Sequence, residues 1–135
     1  MRSPAARATL IDVSLRCLIV DDNAFFLEAA TSLLEREGVT VVAVVSTSAD
    51  AIRTVRELDP DVVLADIMLG NESGFDLAWE LARIDAGRPA VILISTRAES
   101  DFAGQIAETP AAGFVPKFEL SASAIRRLLG GSQSE

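Results

Sequence analysis

The chain has 135 residues, half of them hydrophobic, and a net charge of -8. That length suits one domain with a sizeable core, and the acidic balance argues against binding nucleic acid or an anionic membrane through bulk electrostatics. There is no histidine, which removes histidine-based catalysis and the commonest transition-metal ligand.

The single cysteine, Cys17, lies in the apolar run Cys17-Leu18-Ile19-Val20 and reads as a small core residue. With no second cysteine there is no internal disulfide, which fits a reducing compartment. The longest apolar runs, Val41–Val45 and Ala90–Ile94, are too short to span a bilayer. Asp12 interrupts the only apolar stretch near the N-terminus, so no signal peptide is read. The expected location is the cytoplasm.

Residues 1–14 contain Ser3, Pro4 and several alanines without periodicity, and read as a flexible extension. Leu15–Val20 reads as the first strand. Phe26, Ala30, Leu33 and Leu34 recur on one helical face, and Gly38 stands where a C-terminal cap belongs. Thr40–Val45 is a β-branched second strand. Thr47-x-x-Asp50 resembles a capping box opening a helix with Ala51, Ile52, Val55 and Leu58, which Pro60 ends. Val62–Ala65 is the third strand. A polar loop, Leu69–Gly74, leads to a helical face of Leu77, Ala78, Leu81 and Ile84, closed by Gly87 and Pro89. Ala90–Ile94 is the fourth strand. A helix with a thin apolar face follows over about Ser100 to Glu108, then a short fifth strand, Gly113–Val115. Leu120–Leu129 is the last helix, and residues 130–135 read as a tail.

Five strand-then-helix repeats with apolar strands predict an α/β fold: a doubly wound, five-stranded parallel sheet between two helical layers. The sequence pattern leaves strand order open. One domain is expected, over residues 15–129.

Each strand but the second is followed by a polar group at its C-terminal end: Asp21-Asp22, Asp66, Ser95-Thr96 and Pro116-Lys117. Those ends share one edge of a parallel sheet, where open α/β sheets bind ligands. If strands one and three are neighbours, their ends lie about 5 Å apart. Asp21, Asp22 and Asp66 then crowd together. Each ionised pair costs about 4 kcal/mol at about 4 Å and an effective dielectric near 20. Lys117 can reach across to offset part of that. A hard divalent cation such as Mg²⁺ offsets the rest, and through its waters accepts a phosphoryl ligand. With a metal and a lysine in place, Asp66 becomes a nucleophile able to form an acyl phosphate. Ser95 supplies a hydroxyl for the phosphoryl oxygens.

Each residue has a plainer reading alone. Asp22 could cap the next helix, Lys117 could be solvated, and Ser95-Thr96 is a common turn pair. Four such groups on four strand ends of one edge are hard to reconcile with those readings together.

The chain resembles the response regulator receiver domain of bacterial two-component signalling. The resemblance spans about Leu15 to Leu129. It rests on Cys17-Leu18-Ile19-Val20-Asp21-Asp22-Asn23, Asp61-Val62-Val63-Leu64-Ala65-Asp66, Ser73-Gly74-Phe75-Asp76, Val91-Ile92-Leu93-Ile94-Ser95 and Gly113-Phe114-Val115-Pro116-Lys117. It implies the flavodoxin-like receiver fold with strand order 2-1-3-4-5. It implies that Asp66 accepts phosphate from a sensor histidine kinase or a histidine phosphotransfer protein. Asp21 and Asp22 match the acidic pair that holds Mg²⁺ with Asp66, and Met68 lends a backbone carbonyl. Ser95 matches the switch hydroxyl, Lys117 the phosphate-contacting lysine, and Phe114 the aromatic that turns inward on activation.

The sequence departs from the family pattern at four points. Gly70 stands where proline is usual. Phe118, not proline, follows Lys117, and Pro116 precedes it. Thr96 replaces a small residue, and its hydroxyl is an alternative to that of Ser95.

The leading expectation is a phospho-accepting switch, read as a single-domain response regulator because no domain pattern follows Leu129. Its output is an unidentified protein, a separately encoded effector or a homodimer formed on phosphorylation, with no nucleic-acid or membrane partner. It is not expected to be an enzyme beyond supporting its own phosphotransfer and slow dephosphorylation. The competing enzyme reading, a phosphatase of the haloacid dehalogenase type, needs a second aspartate two residues after the nucleophile, where Met68 stands. A flavin or nucleotide binder would need a glycine-rich phosphate loop after strand one, where the sequence is Asp22-Asn23-Ala24-Phe25. Trp79 is assigned to packing or surface.

Overall fold

A computed structural model describes residues 14–85 and 88–130. Residues 1–13 of the expected extension over 1–14, Gly87, and residues 131–135 of the expected tail over 130–135 lie outside the described residues. The sheet strands are β1 (Arg16–Val20), β2 (Thr40–Val45), β3 (Val62–Asp66), β4 (Ala90–Ser95) and β5 (Gly113–Pro116). All four pairings between them are parallel, in the order β2-β1-β3-β4-β5. This is the doubly wound receiver arrangement, and it makes β1 and β3 neighbours.

The helices are α1 (Ala24–Arg36), α2 (Ser48–Leu58), α3 (Gly74–Ile84), α4 (Ala103–Glu108) and α5 (Ala122–Leu128). They leave one apolar cluster on each face of the sheet. On one face Leu18, Val63, Ala65 and Leu93 meet Leu77, Leu81, Phe75 and Phe114. On the other Cys17, Ile19, Leu64, Ile92 and Ile94 meet Ala30, Leu34 and Ile125. Alternation along each central strand sends successive side chains to opposite faces. Both faces are covered, so β3 reads as an unbroken apolar run.

Several ends were legible as local chemistry. Thr47 caps α2, its hydroxyl accepting from the Asp50 N–H at 3.1 Å. Gly38, at φ +92, follows the end of α1 and lets its N–H reach the Glu35 carbonyl. Other ends differ from expectation. The loop before α3 folds into a two-residue antiparallel ladder, Met68–Leu69 with Glu72–Ser73, too short for any periodicity to announce. Ser73 then caps α3, which starts at Gly74. The last helix starts at Ala122, because Ser121 caps it and Lys117–Glu119 form a single 3-10 turn. The segment before α4 is likewise a 3-10 turn, Glu99–Phe102, and neither it nor α4 buries a residue. That is the physical form of the thin apolar face. Trp79 is on the surface, about half exposed.

Gly74 bears directly on the sheet edge. A Cβ there would lie 2.5 Å from the Asp66 backbone carbonyl oxygen and 3.2 Å from the Ile67 Cα, with only backbone to yield. Gly74→Ala is expected to cost about 2–3 kcal/mol by overpacking, read as a lowered midpoint in chemical denaturation.

Cys17 is fully buried, and burial pushes its thiol up to about 12 from an ordinary value of 9.0. The native thiol is therefore inert to a water-soluble disulfide reagent at pH 8 and reacts stoichiometrically once the protein unfolds. The raised value stabilises the fold fully below about pH 9, and that contribution is lost as pH climbs toward 12.

Candidate functional site

The C-terminal ends of β1, β3, β4 and β5 converge on one edge. Asp21 directly follows β1 and remains on the sheet, its N–H donating to the Val45 carbonyl at 3.0 Å. Asp66 is the last residue of β3, and the next N–H, of Ile67, donates to the Ile94 carbonyl at 3.0 Å. The adjacency of β1 and β3 brings Asp21, Asp22 and Asp66 together. One carboxylate oxygen from each lies within 4.8 Å of the other two. Asp21 and Asp66 are buried, and Asp22 is exposed at the rim.

Lys117 reaches in from the end of β5. Its ammonium lies 2.6 Å from Asp21 Oδ2 and 3.2 Å from Asp66 Oδ2. The Asp66 contact is a hydrogen bond. The Asp21 contact is an ion pair, and Asp21 Oδ2 has no further partner among the described residues. Asp21 Oδ1 accepts the Asn23 N–H at 2.9 Å, and Asn23 Oδ1 accepts the Phe26 N–H at 3.1 Å. Asn23, not Asp22, is thus the cap of α1, which leaves the Asp22 carboxylate free for the cluster. Asp66 Oδ1 accepts the Met68 N–H at 3.2 Å.

These contacts set the charges. Burial pushes the Asp66 carboxyl above its ordinary value against the pull of the Met68 N–H. Asp21 adds to the upward push, and Lys117 opposes it. For Lys117, burial alone would lower its value, but Asp21 and Asp66 together outweigh that and raise it. The ammonium therefore stays charged at neutral pH.

The remaining expected residues are less directly engaged. Ser95 is buried at the end of β4, but its hydroxyl accepts the Arg97 N–H at 3.0 Å and holds the following turn. Thr96 is exposed. Phe114 already lies inward, 7% exposed and packed in the core cluster that includes Phe75, Ala65 and Leu93. The inward turn expected of this ring on activation is therefore not a move from an exposed starting position. Met68 is half exposed and meets Asp66 through its N–H. Phe26 was assigned only to the face of a helix, yet its ring centroid lies 4.5 Å from the Lys117 ammonium.

The oxygen-only donor set of three carboxylates suits a hard divalent cation. Three carboxylates face the single ammonium of Lys117 there, so the charge balance fits the same role.

Residues 17–128 match the response regulator receiver domain family. The chain belongs to that family. The DNA-binding response regulator MtrA of Mycolicibacterium paratuberculosis is 44% identical over 78 residues, covering 58% of this chain and 34% of that protein. The receiver domain thus spans about a third of the curated relatives it first matches. A two-component response regulator of the LuxR family from Aurantimonas superposes with a TM-score of 0.79 at 29% identity, covering 88% of this chain and 87% of that one. The signal receiver domain of the response regulator NarL from Mycobacterium tuberculosis gives 0.75 at 26% identity, covering 87% and 98%. Among the described residues of this receiver domain, no helix is long and apolar enough to cross a membrane.

The raised Asp66 value has a measurable consequence. The ionised carboxylate is less favourable in the folded than in the unfolded chain, so its neutral form stabilises at low pH and that gain is lost as pH rises through the folded value. In metal-free buffer Asp66→Asn is expected to melt higher than the parent at pH 7, with the gap closing as pH falls toward 4. Thermal denaturation across that range checks it.

Proposed function

We propose that this receiver domain is a phospho-accepting switch in which Asp66 is the nucleophile. The observation that carries the reading is the seating of Asp66 beside Asp21, Asp22 and the Lys117 ammonium on one sheet edge. A carboxylate oxygen of Asp66 attacks the phosphorus of a phosphohistidine on a histidine kinase or a histidine phosphotransfer protein. The P–N bond breaks, its electron pair returns to the imidazole, and an acyl phosphate remains on Asp66. Lys117 offers positive charge to the transferring phosphoryl oxygens. Ser95 leaves its turn contact with Arg97 to donate its hydroxyl to a phosphoryl oxygen, Thr96 being the alternative donor.

Asp21, Asp22, Asp66 and the Met68 carbonyl are the proposed Mg²⁺ ligands. When bound, Mg²⁺ supplies neutralisation of the three carboxylates and of the phosphoryl charge. Exposed Phe25, Met68 and Phe118 lie within three residues of Asp22, Asp66 and Lys117, and offer apolar rim surface to a donor protein. Met68 in place of a second aspartate favours a switch that stores the phosphoryl group over a phosphatase that turns it over. The output follows from the loop after β4: withdrawal of Ser95 from Arg97 frees a segment that buries no residue of its own. A protein partner or a second copy then reads the face formed by α4, β5 and α5.

Incubation with Mg²⁺ and acetyl phosphate, followed by intact-mass measurement, is expected to show one added phosphoryl group. Asp66→Asn and removal of Mg²⁺ with a chelator should each abolish it. Labelling that survives Asp66→Asn would contradict the assignment.

A further inference from the structure

We propose that Phe26 is a positioning residue for phosphoryl transfer: its ring seats the Lys117 ammonium between Asp21 and Asp66. This rests on the reading of Asp66 as phosphoacceptor. The Lys117 side chain is only 11% exposed, so its ammonium has given up most of its water. Two sides of it face carboxylates, at 2.6 and 3.2 Å. A third meets the face of Phe26, 4.5 Å from the ring centroid. The negative face of an aromatic ring attracts a cation, more strongly when the cation is desolvated.

The ring is held in register with the site by its own backbone. Asp21 Oδ1 fixes the Asn23 N–H, and the Asn23 side chain fixes the Phe26 N–H. The Phe26 ring meets Lys117, and Lys117 returns to Asp21 Oδ2. The circuit closes on one carboxylate, so α1 cannot shift without moving the lysine. Packing alone explains less. The buried positions of α1 are Ala30 and Leu34, while Phe26, partly buried at the site end of the helix, packs one side on the core cluster of that face and meets Lys117 with its ring face.

A divalent cation held by Asp21 would compete with Lys117 for that carboxylate. Phe26 then keeps the ammonium within reach of Asp66, where the phosphoryl oxygens arrive. Phe26→Leu keeps an apolar side chain but removes the quadrupole, and Phe26→Trp keeps and strengthens it.

The test uses the full chain. Lys117 is the only lysine in the sequence, so its Cε protons can be read without ambiguity by lysine-selective labelling and NMR. In the wild type they are expected upfield of free lysine through the Phe26 ring current, and at the free position in Phe26→Leu. Labelling by acetyl phosphate is expected to slow about 3- to 10-fold in Phe26→Leu and to recover in Phe26→Trp. Equal rates for wild type and Phe26→Leu would overturn the inference. So would a folded Phe26→Trp that stays as slow as the leucine variant, or unshifted Lys117 protons in the wild type. If the wild type takes no phosphoryl group at all, the phosphoacceptor reading fails, and the ring-current shift alone decides the seating of Lys117.

Discussion

The structure turns on one ammonium group. Two buried carboxylates and a third at the rim meet where β1 and β3 end, and Lys117 is the cation set among them. Neighbouring strands place those carboxylates too close for bare charge to be tolerated. Lys117 neutralises only part of it, one positive charge against three carboxylates. The site is therefore under-neutralised by construction. A divalent cation with hard oxygen preference is the natural complement, and a phosphoryl group is a natural addition to that cation.

The fold serves this imbalance. The parallel sheet is buried on both faces, so the ends of β1 and β3 are held by long apolar strands that cannot slip without exposing core. Gly74 lets α3 start against the Asp66 backbone, and Asn23 caps α1 against Asp21. One helix start thus abuts the Asp66 backbone and the other is hydrogen-bonded to the Asp21 carboxylate. Packing is lighter after β4, where no residue of the 3-10 turn or α4 is fully buried and only Phe102 and Ile106 lean on the core. The buried edge at Asp66 and this lightly packed segment sit side by side, joined through Ser95 and its bond to Arg97.

Much of this was legible in the sequence, for physical reasons. Apolar runs that stop on Asp21, Asp66, Ser95 and Pro116-Lys117 reported both the strands and the edge where those residues meet. Thr47 and Gly38 announced helix ends through their own local chemistry. Other features left no readable trace. A two-residue ladder at Met68–Leu69 has no periodicity. The choice of Asn23 over Asp22 as the cap of α1 depends on which side chain faces the first turn, a three-dimensional matter. Phe26 carries the same helical signal whether its ring meets core or cation. Phe114 carries no sign of its rotamer, and its inward packing among Phe75, Ala65 and Leu93 comes from the tertiary fit.

The most direct measurement of the central claim is a crystal structure with Mg²⁺ and beryllofluoride, a stable mimic of the aspartyl phosphoryl group. The account predicts beryllofluoride on an Asp66 oxygen and Mg²⁺ bridging Asp21 and Asp66. It predicts Lys117 on the fluoride and Ser95 turned from Arg97 toward it. Density for the mimic on any other residue, or an Asp66 that takes no adduct while Mg²⁺ is bound, would contradict it.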